Sequence, residues 1–381
     1  MKAVYIISLG IFLVACSANK KLLRQPTTAS ISQLKLLGEI DVPYNLAFKN
    51  TTVGGLSGID YDAANNLYYL ISDDRSAFNP ARFYTAKIFV TPKGIDSVVF
   101  VDVKPMLQAD GSPYPNSKQN PSKTPDPEAI RYNPITKQLV WSSEGERIVN
   151  KKDTVLEDPA ITSIATNGAY LDTFLLPGQL HMTATEKGPR QNGVLEGLTF
   201  ANNYKYLYVN VEEPLYEDGP RAMVTDTTAW IRIIKYDVAT KKPLQQYAYK
   251  LDPIAHPATP PDAFKINGIP DILSMGDNKL LVMERSFSTG KLACTIKIFK
   301  TDLANASDIS ANTSLQQNKA FTPATKQLLL NFDTLGMYID NVEGMTFGPT
   351  LPNGHKTLVC VADNNFAILE RSQFFLFEIL P

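Results

Sequence analysis

Short apolar runs separated by turn-forming residues extend along most of the chain, and a helical spacing of apolar positions is hardly visible. Five of these runs share a pattern that recurs roughly every 70 residues. In all but one of them the first position is a carboxylate, and in all but one the second is Gly or Ala. The five segments begin at Ser57, Glu128, Glu196, Asp271 and Glu343. A regular repeat of this length predicts a fold built from similar units.

Each repeat continues with a turn-forming stretch and a second apolar run that ends in an acid. Two short apolar runs joined by such a turn predict a β-hairpin. Further strands are predicted at 82–90, 96–103, 230–238, 244–251, 295–300 and 326–332, with 161–176 holding both remaining strands of the second unit. Four strands in each of several repeated units are typical of the blades of a β-propeller.

The two ends of the chain complement each other. The fifth unit has only three predicted strands, the last at 374–379, and the strand at 33–42 has no unit of its own. We expect this N-terminal strand to complete the last blade, because closure removes the open sheet edges. The sequence therefore predicts an all-β fold, a single β-propeller of five four-stranded blades. Six blades remain possible if the segment before Glu128 contains more strands, and a β-sandwich is the alternative fold.

The N-terminus indicates export. Lys2 precedes an apolar run of about ten residues, which is short for a membrane span of roughly 20. The run ends in Leu13-Val14-Ala15-Cys16, which resembles a bacterial lipobox. We expect a signal peptide at 1–15, lipid on Cys16, a flexible tether at 16–32 and one domain at 33–381. Ser17 after the cysteine favours the outer membrane of the bacterial envelope. An ordinary signal peptide with a chance cysteine is the alternative.

Composition and the remaining cysteines narrow the picture further. The 381 residues are 44% hydrophobic with a formal net charge of −1, so no basic excess predicts a nucleic-acid partner. We expect a monomer. Cys294 and Cys360 lie inside apolar runs, which predicts two buried free thiols, although an exported protein could also join them in a disulfide.

The repeats place many acids at one end of the predicted propeller. The first residue of each inner strand and the last residue of the second strand share one face near the central channel. Carboxylates occupy nine of these ten positions, and their repulsion must be offset by cations, arginines or raised pKa values. A divalent cation such as Ca²⁺ prefers oxygen ligands, and the candidate ligands are Asp73, Glu144, Glu212, Asp271 and Asp363. Alternatively, the acids cap strands and pair with arginines. No organic cofactor is expected.

Basic and polar side chains near the same face suggest an anionic substrate. The candidate substrate-binding residues are Arg75, Arg147, His181, Arg190 and His256, and the candidate catalytic residues are Glu284, Arg285, Glu128, Glu196 and Glu343. Carboxylates would hold the metal, and Arg285 would bind a substrate oxyanion. The chain contains no Gly-x-Ser-x-Gly, His-Glu-x-x-His, phosphate-loop or cysteine-rich zinc motif.

The repeats also resemble a bacterial family described as "esterase-like activity of phytase". The resemblance covers roughly residues 50–380, and departures occur at Asp74 and at Pro270-Asp271. The motifs that carry it are Gly55-Leu56-Ser57-Gly58, Ile71-Ser72-Asp73-Asp74-Arg75, Asp126-Pro127-Glu128-Ala129-Ile130, Glu196-Gly197-Leu198, Leu281-Val282-Met283-Glu284-Arg285-Ser286-Phe287 and Asn341-Val342-Glu343-Gly344-Met345. The resemblance implies an exported propeller and suggests hydrolysis of phosphate esters or carboxylic esters.

Two functional hypotheses follow from these observations. The first is a metal-assisted hydrolase that acts on a small phosphorylated substrate. The second is a non-catalytic propeller that binds a protein or glycan partner at the cell envelope. Propellers host both kinds of function, so the fold does not choose between them.

Overall fold

The predicted repeat folds as five antiparallel four-stranded sheets. The computed structural model describes residues 30–225 and 228–381. From the innermost strand outward, blade 1 contains Gly58–Asp62, Leu67–Ser72, Arg82–Thr91 and Gly94–Pro105. Blade 2 contains Pro127–Asn133, Gln138–Ser143, Ala160–Ala165 and Tyr170–Thr173. Blade 3 contains Leu195–Ala201, Tyr206–Val211, Trp230–Asp237 and Lys242–Lys250.

The remaining blades follow the same order. Blade 4 contains Lys265–Gly276, Lys279–Ser288, Thr295–Asp302 and Thr325–Asn331. Blade 5 contains Asn341–Phe347, Thr357–Asp363, Ser372–Leu380 and Gln33–Val42. Two small hairpins lie outside the blades, Ala47–Phe48 with Thr51–Thr52 and Glu146–Val149 with Thr154–Glu157. Helix in the described residues is limited to the short 3₁₀ turns Pro121–Lys123, Gly178–Leu180, Tyr216–Asp218 and Phe332–Leu335.

The N-terminal strand closes the ring as predicted. Gln33–Val42 pairs antiparallel with Ser372–Leu380, from Gln33 opposite Leu380 to Val42 opposite Ser372, with one irregularity near Gly38. Five blades are therefore confirmed. Between residues 106 and 126, where a sixth blade was considered, the only strand-like feature of the described chain is the isolated bridge from Leu107 to Pro113.

The hydrophobic cores lie between neighbouring blades. The inner and second strands are mostly apolar on both faces because neighbouring blades cover each sheet on both sides. In Tyr206–Val211, for example, every residue except the first is buried. Cys294 and Cys360 belong to the core between blades 4 and 5, and both are buried free thiols. The prediction of two free thiols is thus confirmed.

The blades define two faces of the ring. We call the face where loops enter the inner strands the acidic face, and the face of the turns between inner and second strands the hairpin face. Cys16, the signal peptide and almost all of the tether lie outside the described residues. In the ranges that the structure describes, no helix is long and apolar enough to cross a membrane.

Candidate functional site

Carboxylates from three blades meet at the acidic face. Ligand oxygens of Asp73, Asp126 and Glu128 lie within 4.8 Å of one another, and those of Glu128, Glu144 and Glu196 do the same. We call these five residues the acidic cluster. Glu128, Glu144 and Glu196 are exposed to only 7%, 1% and 6%. The predicted convergence of repeated acids is therefore real for these blades.

Glycines in the inner strands explain how the acids come so close. A Cβ on Gly58 would lie 2.8 Å from the Cα of Ala129 in blade 2. A Cβ on Gly197 would lie 2.5 Å from the Cα of Asp271 in blade 4. Since real Cβ contacts are longer than this, only glycine lets the inner strands of neighbouring blades approach backbone to backbone. The small residue of the repeat thus sets the narrow radius of the channel.

Burial and mutual repulsion disfavour the charged forms of these carboxyls. Burial, followed by the charges of Glu196 and Asp73, raises the pKa of Glu128 well above its usual value. Burial and the charge of Glu144 do the same to the pKa of Glu196. The side chains of Asp73 and Asp126 hydrogen-bond to each other, and burial raises both of their pKa values. Both shifts favour the protonated forms of this pair.

Several buried carboxylate oxygens have no hydrogen-bond partner among the described residues, those of Glu144 and Glu212 among them. Glu144 accepts a hydrogen bond from the backbone N–H of Val194 through Oε1, but its Oε2 has no hydrogen-bond partner among the described residues. Oε2 of Glu212 is in the same situation, although Oε1 of that residue accepts from Arg285 at 2.8 Å. Unpaired buried carboxylate oxygens are costly, and a hard divalent cation with oxygen ligands would satisfy them. The donor set therefore fits such an ion.

Arg75 and Arg285 supply positive charge beside the acids. Arg75 pairs with Glu146 and lies 3.7 Å from Asp126. Arg285 donates to Glu212 and lies 3.4 Å from Glu343. Burial raises the pKa of Glu343 to about 7, even though the charge of Arg285 opposes this shift. Asp363 belongs to the same network, because burial and the charge of Glu343 raise its pKa well above the usual value.

Two predicted members do not join the acidic cluster. Both carboxylate oxygens of Asp271 accept from Arg131 at 2.7 Å inside the channel. Glu284 points away from the channel and accepts from Tyr249 at 2.7 Å and from Lys326 at 2.5 Å, both on outer strands. Neighbouring residues of a strand point to opposite sides, so Glu284 and Arg285 cannot both face the channel. The placement of Asp271 and Glu284 with the other acids was wrong.

The predicted substrate-binding residues are mostly engaged in holding loops. Arg147 donates to the carbonyls of Thr183 and Thr185 at 3.0 and 2.9 Å. Arg190 donates to the carbonyls of Pro214 and Gly219 at 2.9 and 2.8 Å. The two histidines are partly exposed: His181 lies 2.7 Å from Asp158, and His256 lies 4.0 Å from Asp333. The structure does not bring these four side chains together at the acidic cluster.

Sequence reasoning missed Asp126 as a site residue. It precedes the inner strand of blade 2 and lies two positions before Glu128, and residues two apart on an extended chain point to the same side. That spacing was the available signal. Glu146 and Glu157 belong to a hairpin that the repeat does not contain, so its pattern offered no signal for them. Burial raises the pKa of Glu157 to about 8, against the charge of Arg75.

The fold and the site together define a class, that of β-propellers with a carboxylate-lined channel mouth. Within this class, the chain belongs to the family Phytase-like, described as "Esterase-like activity of phytase", whose model matches residues 51–366. The family resemblance noted from the motifs is thereby confirmed. No curated protein matches the chain in sequence.

Solved structures that are similar to this chain include an arabinase and two lactonases, all at low sequence identity. An endo-arabinase from Bacteroides thetaiotaomicron is 11% identical with a TM-score of 0.44, over 86% of this chain and 95% of that one. A putative 6-phosphogluconolactonase from Bacteroides uniformis is 14% identical with a TM-score of 0.35, over 82% and 79%. A periplasmic gluconolactonase from Pseudomonas aeruginosa is 10% identical with a TM-score of 0.37, over 87% and 90%.

Proposed function

We propose that the acidic cluster binds a divalent cation and that the protein is a metal-dependent hydrolase of phosphate esters, anchored to the bacterial envelope by lipid on Cys16. The observation that carries the proposal is the buried, unpartnered Oε2 of Glu144 within a cluster of mutually repelling carboxylates. Glu128, Glu144 and Glu196 would hold the ion, with Asp73 and Asp126 as the neighbouring group. A bound cation would polarise a phosphoryl oxygen and lower the pKa of an attacking water.

A small cavity on the acidic face, lined by Arg285, would hold the substrate. It has a volume of about 280 Å³ and is lined by Gln191, Asn192, Arg221, Phe264, Ile266, Arg285 and Phe287. Nε of Arg285 is buried and has no hydrogen-bond partner among the described residues. Arg221 is partly exposed and pairs with Glu213 at 2.8 Å. Two guanidinium groups on one cavity favour a phosphate or carboxylate group, which they bind through charge-assisted hydrogen bonds.

Metal binding is the first part of the test. Protein stripped with a chelator should gain thermal stability when Ca²⁺ or Mg²⁺ is added, by about 2.7 kcal/mol at a concentration 100 times the Kd. The stripped protein should hydrolyse neither phytate nor simple phosphate esters, and the added cation should restore turnover. Glu144→Gln and Glu196→Gln should lose both responses. Glu186→Gln is the matched control, because Glu186 is an exposed acid in a nearby loop.

One observation favours the second function, a binding module that uses the cation for stability alone. The three glutamates of the cluster are at most 7% exposed, so a substrate would have limited access to an ion held by them. A cation that raises the melting temperature without turnover of any phosphate ester or carboxylic ester would support this function. If no cation changes the melting temperature, the metal site itself is refuted.

A further inference from the structure

A large concave site lies on the hairpin face, at the opposite end of the channel from the acidic cluster. It has a volume of about 670 Å³, within the range of about 300–1,000 Å³ typical of small-molecule sites. All five blades contribute to its wall, including Tyr61, Tyr132, Phe200, Leu273 and Phe347. We call it the hairpin-face cavity.

A buried ion pair separates this cavity from the acidic cluster. Arg131 crosses the channel to Asp271 and is 2% exposed. Its guanidinium also donates to the carbonyls of Ile59 in blade 1, Ile272 in blade 4 and Met345 in blade 5. Because this side chain ties four blades together across the channel, the cavity is a separate site. Ligand binding in this cavity therefore does not depend on the proposed metal-dependent activity.

The charged groups of the cavity leave a negative balance. Asp60, Asp62 and Asp277 line it, against Arg131 and Lys356. The positive charge of Arg131 is already matched by Asp271. Asp60 accepts hydrogen bonds from the backbone N–H of Tyr132 at 2.7 Å and from the hydroxyl of Thr346 at 3.0 Å. This carboxylate is held in place at the floor of an aromatic cavity.

The hydroxyl groups of the floor are engaged with the protein. Thr199 accepts from the backbone N–H of Ser274 at 2.9 Å, and Thr346 donates to Asp60. Ser274 accepts from the N–H of Gly276 at 3.2 Å, and the phenol of Tyr61 donates to Asn66 at 2.9 Å. Aromatic faces and a carboxylate attract a cation without strict directionality.

The backbone of one wall is strained in a way that places an aromatic ring. Asn202, Asn203 and Tyr204 have φ values of 50°, 53° and 65°. This left-handed conformation is uncommon for a residue as bulky as tyrosine, and such outliers concentrate at ligand sites. The ring of Tyr204 lies 5.4 Å from that of Phe200, and both line the cavity. The two rings together form an aromatic part of the cavity wall.

We propose that the hairpin-face cavity binds an organic cation, a small molecule whose ammonium group sits against the aromatic wall and faces Asp60. Cation–π attraction to several rings and the charge of Asp60 would act on the same group. Choline, a quaternary ammonium, is the probe for this chemistry. Its uncharged analogue, in which a tert-butyl group replaces the trimethylammonium, matches its shape and tests the role of charge.

The test is calorimetric titration of the intact protein. Choline should bind, and the uncharged analogue should bind at least about tenfold more weakly. Asp60→Asn should weaken choline binding by about tenfold or more. Tyr204→Gly should weaken it similarly, while glycine adopts the left-handed backbone without strain. Lys137→Gly is the matched control, because Lys137 is exposed, has a φ of 56° in a corresponding hairpin turn and does not line the cavity.

Each outcome decides the matter. Equal binding of choline and its analogue, or binding of neutral saccharides in place of amines, would overturn the proposal. Loss of choline binding in Lys137→Gly would also count against it, because the effect would then lie in turn stability. Where choline binds, co-sedimentation with phosphatidylcholine vesicles, compared with phosphatidylglycerol vesicles, shows whether a lipid headgroup can be the source of the ammonium. Asp60→Asn should abolish that preference.

Discussion

At the scale of single residues, burial and mutual repulsion both disfavour the charged forms of the carboxyls in the acidic cluster. The repeat itself brings four members of the cluster together. Asp73 directly follows the hairpin of blade 1, Glu128 and Glu144 lie at the start and just past the end of the hairpin of blade 2, and Glu196 lies at the start of the inner strand of blade 3. Each has a pKa raised well above its usual value, with burial as the largest cause and neighbouring carboxylates as the next. Protonation or a bound cation can relieve the repulsion, and these two states compete.

This competition predicts a pH dependence of stability. A carboxyl whose pKa is raised in the folded state binds more protons folded than unfolded, so it contributes stability at low pH. That contribution is lost as the pH rises from about 4.5 through the raised values, which for Glu343 is about 7. We expect metal-free protein to melt at a higher temperature at pH 5.5 than at pH 8, at constant ionic strength. An added divalent cation should raise the melting temperature more at pH 8.

The opposite pH trend in metal-free protein would contradict this account of the cluster. Glu144→Gln offers a second check. It removes one buried charge and should flatten the pH dependence of the melting temperature, whereas the exposed-acid control Glu186→Gln should leave it unchanged.

Residue types and spacing predicted the cluster only in part. Glu128 and Glu196 were placed correctly because they occupy equivalent positions in their inner strands. Each lies within a shift of the pairing register with the second strand, between Pro127 and Ile130 in blade 2 and between Leu195 and Leu198 in blade 3. In blade 4 the corresponding skip runs from Gly268 to Asp271, so Asp271 falls beyond the irregularity and deeper in the channel. A repeat found by sequence similarity does not reveal such a register shift, because the shift is visible only in the pairing of the strands.

At the scale of elements, the second position of the repeat sets how the inner strands pack. Gly58, Gly197 and Gly344 face the backbone of a neighbouring inner strand, with Cβ positions that would lie 2.5–3.0 Å from the nearest of its atoms. The repeat in the sequence shows that this residue is small. The structure shows why: five inner strands converge around one axis, and a larger residue would clash with the next strand. In blade 4 the corresponding stretch reads Pro270-Asp271-Ile272, without a glycine or alanine. The inner strand of this blade, Lys265–Gly276, is also one of the longest in the structure.

The glycines predict a sharp sensitivity to added volume. In Gly197→Ala the new methyl group would meet the Cα of Asp271 at 2.5 Å and the N of Ile272 at 2.7 Å, both backbone atoms that cannot move aside cheaply. We expect a loss of about 1–3 kcal/mol in the free energy of unfolding. Urea denaturation monitored by tryptophan fluorescence measures it. Gly178→Ala is the control, because no atom lies within 4 Å of that Cβ position, and it should leave the urea midpoint nearly unchanged.

At the scale of the whole molecule, blade 5 joins the two ends of the chain. Three of its strands come from the C-terminal part, and the fourth is Gln33–Val42. The pattern of the sequence was sufficient to predict this, because a unit with three strands and a strand without a unit complement each other. The number of blades also followed from the repeat. The hairpin at Glu146–Val149 and Thr154–Glu157 did not, since it is an insertion in one blade.

Closure by the N-terminal strand predicts the effect of truncation. A protein that begins at residue 43 would expose the edge of Ser372–Leu380, whose residues are almost all buried in the intact ring. An exposed apolar edge strand promotes intermolecular pairing, so we expect aggregation and loss of a cooperative thermal transition. Size-exclusion chromatography and calorimetry test this against a protein that begins at residue 30, which keeps the strand. A soluble, cooperatively folding truncation from 43 would show that the ring does not depend on its last strand.

The same strand fixes the face of the ring from which the preceding chain leaves. Gln33 lies opposite Leu380, and Ser32 donates its backbone N–H to the carbonyl of Leu380 at 2.9 Å, so the preceding chain leaves from the hairpin face. If Cys16 is lipidated, residues 17–32 reach at most about 55 Å when fully extended. The proposed ammonium-binding cavity would then open on the same end of the ring as the tether, and the acidic cluster on the other end. A lipid headgroup and a phosphate ester would therefore reach opposite ends of the channel.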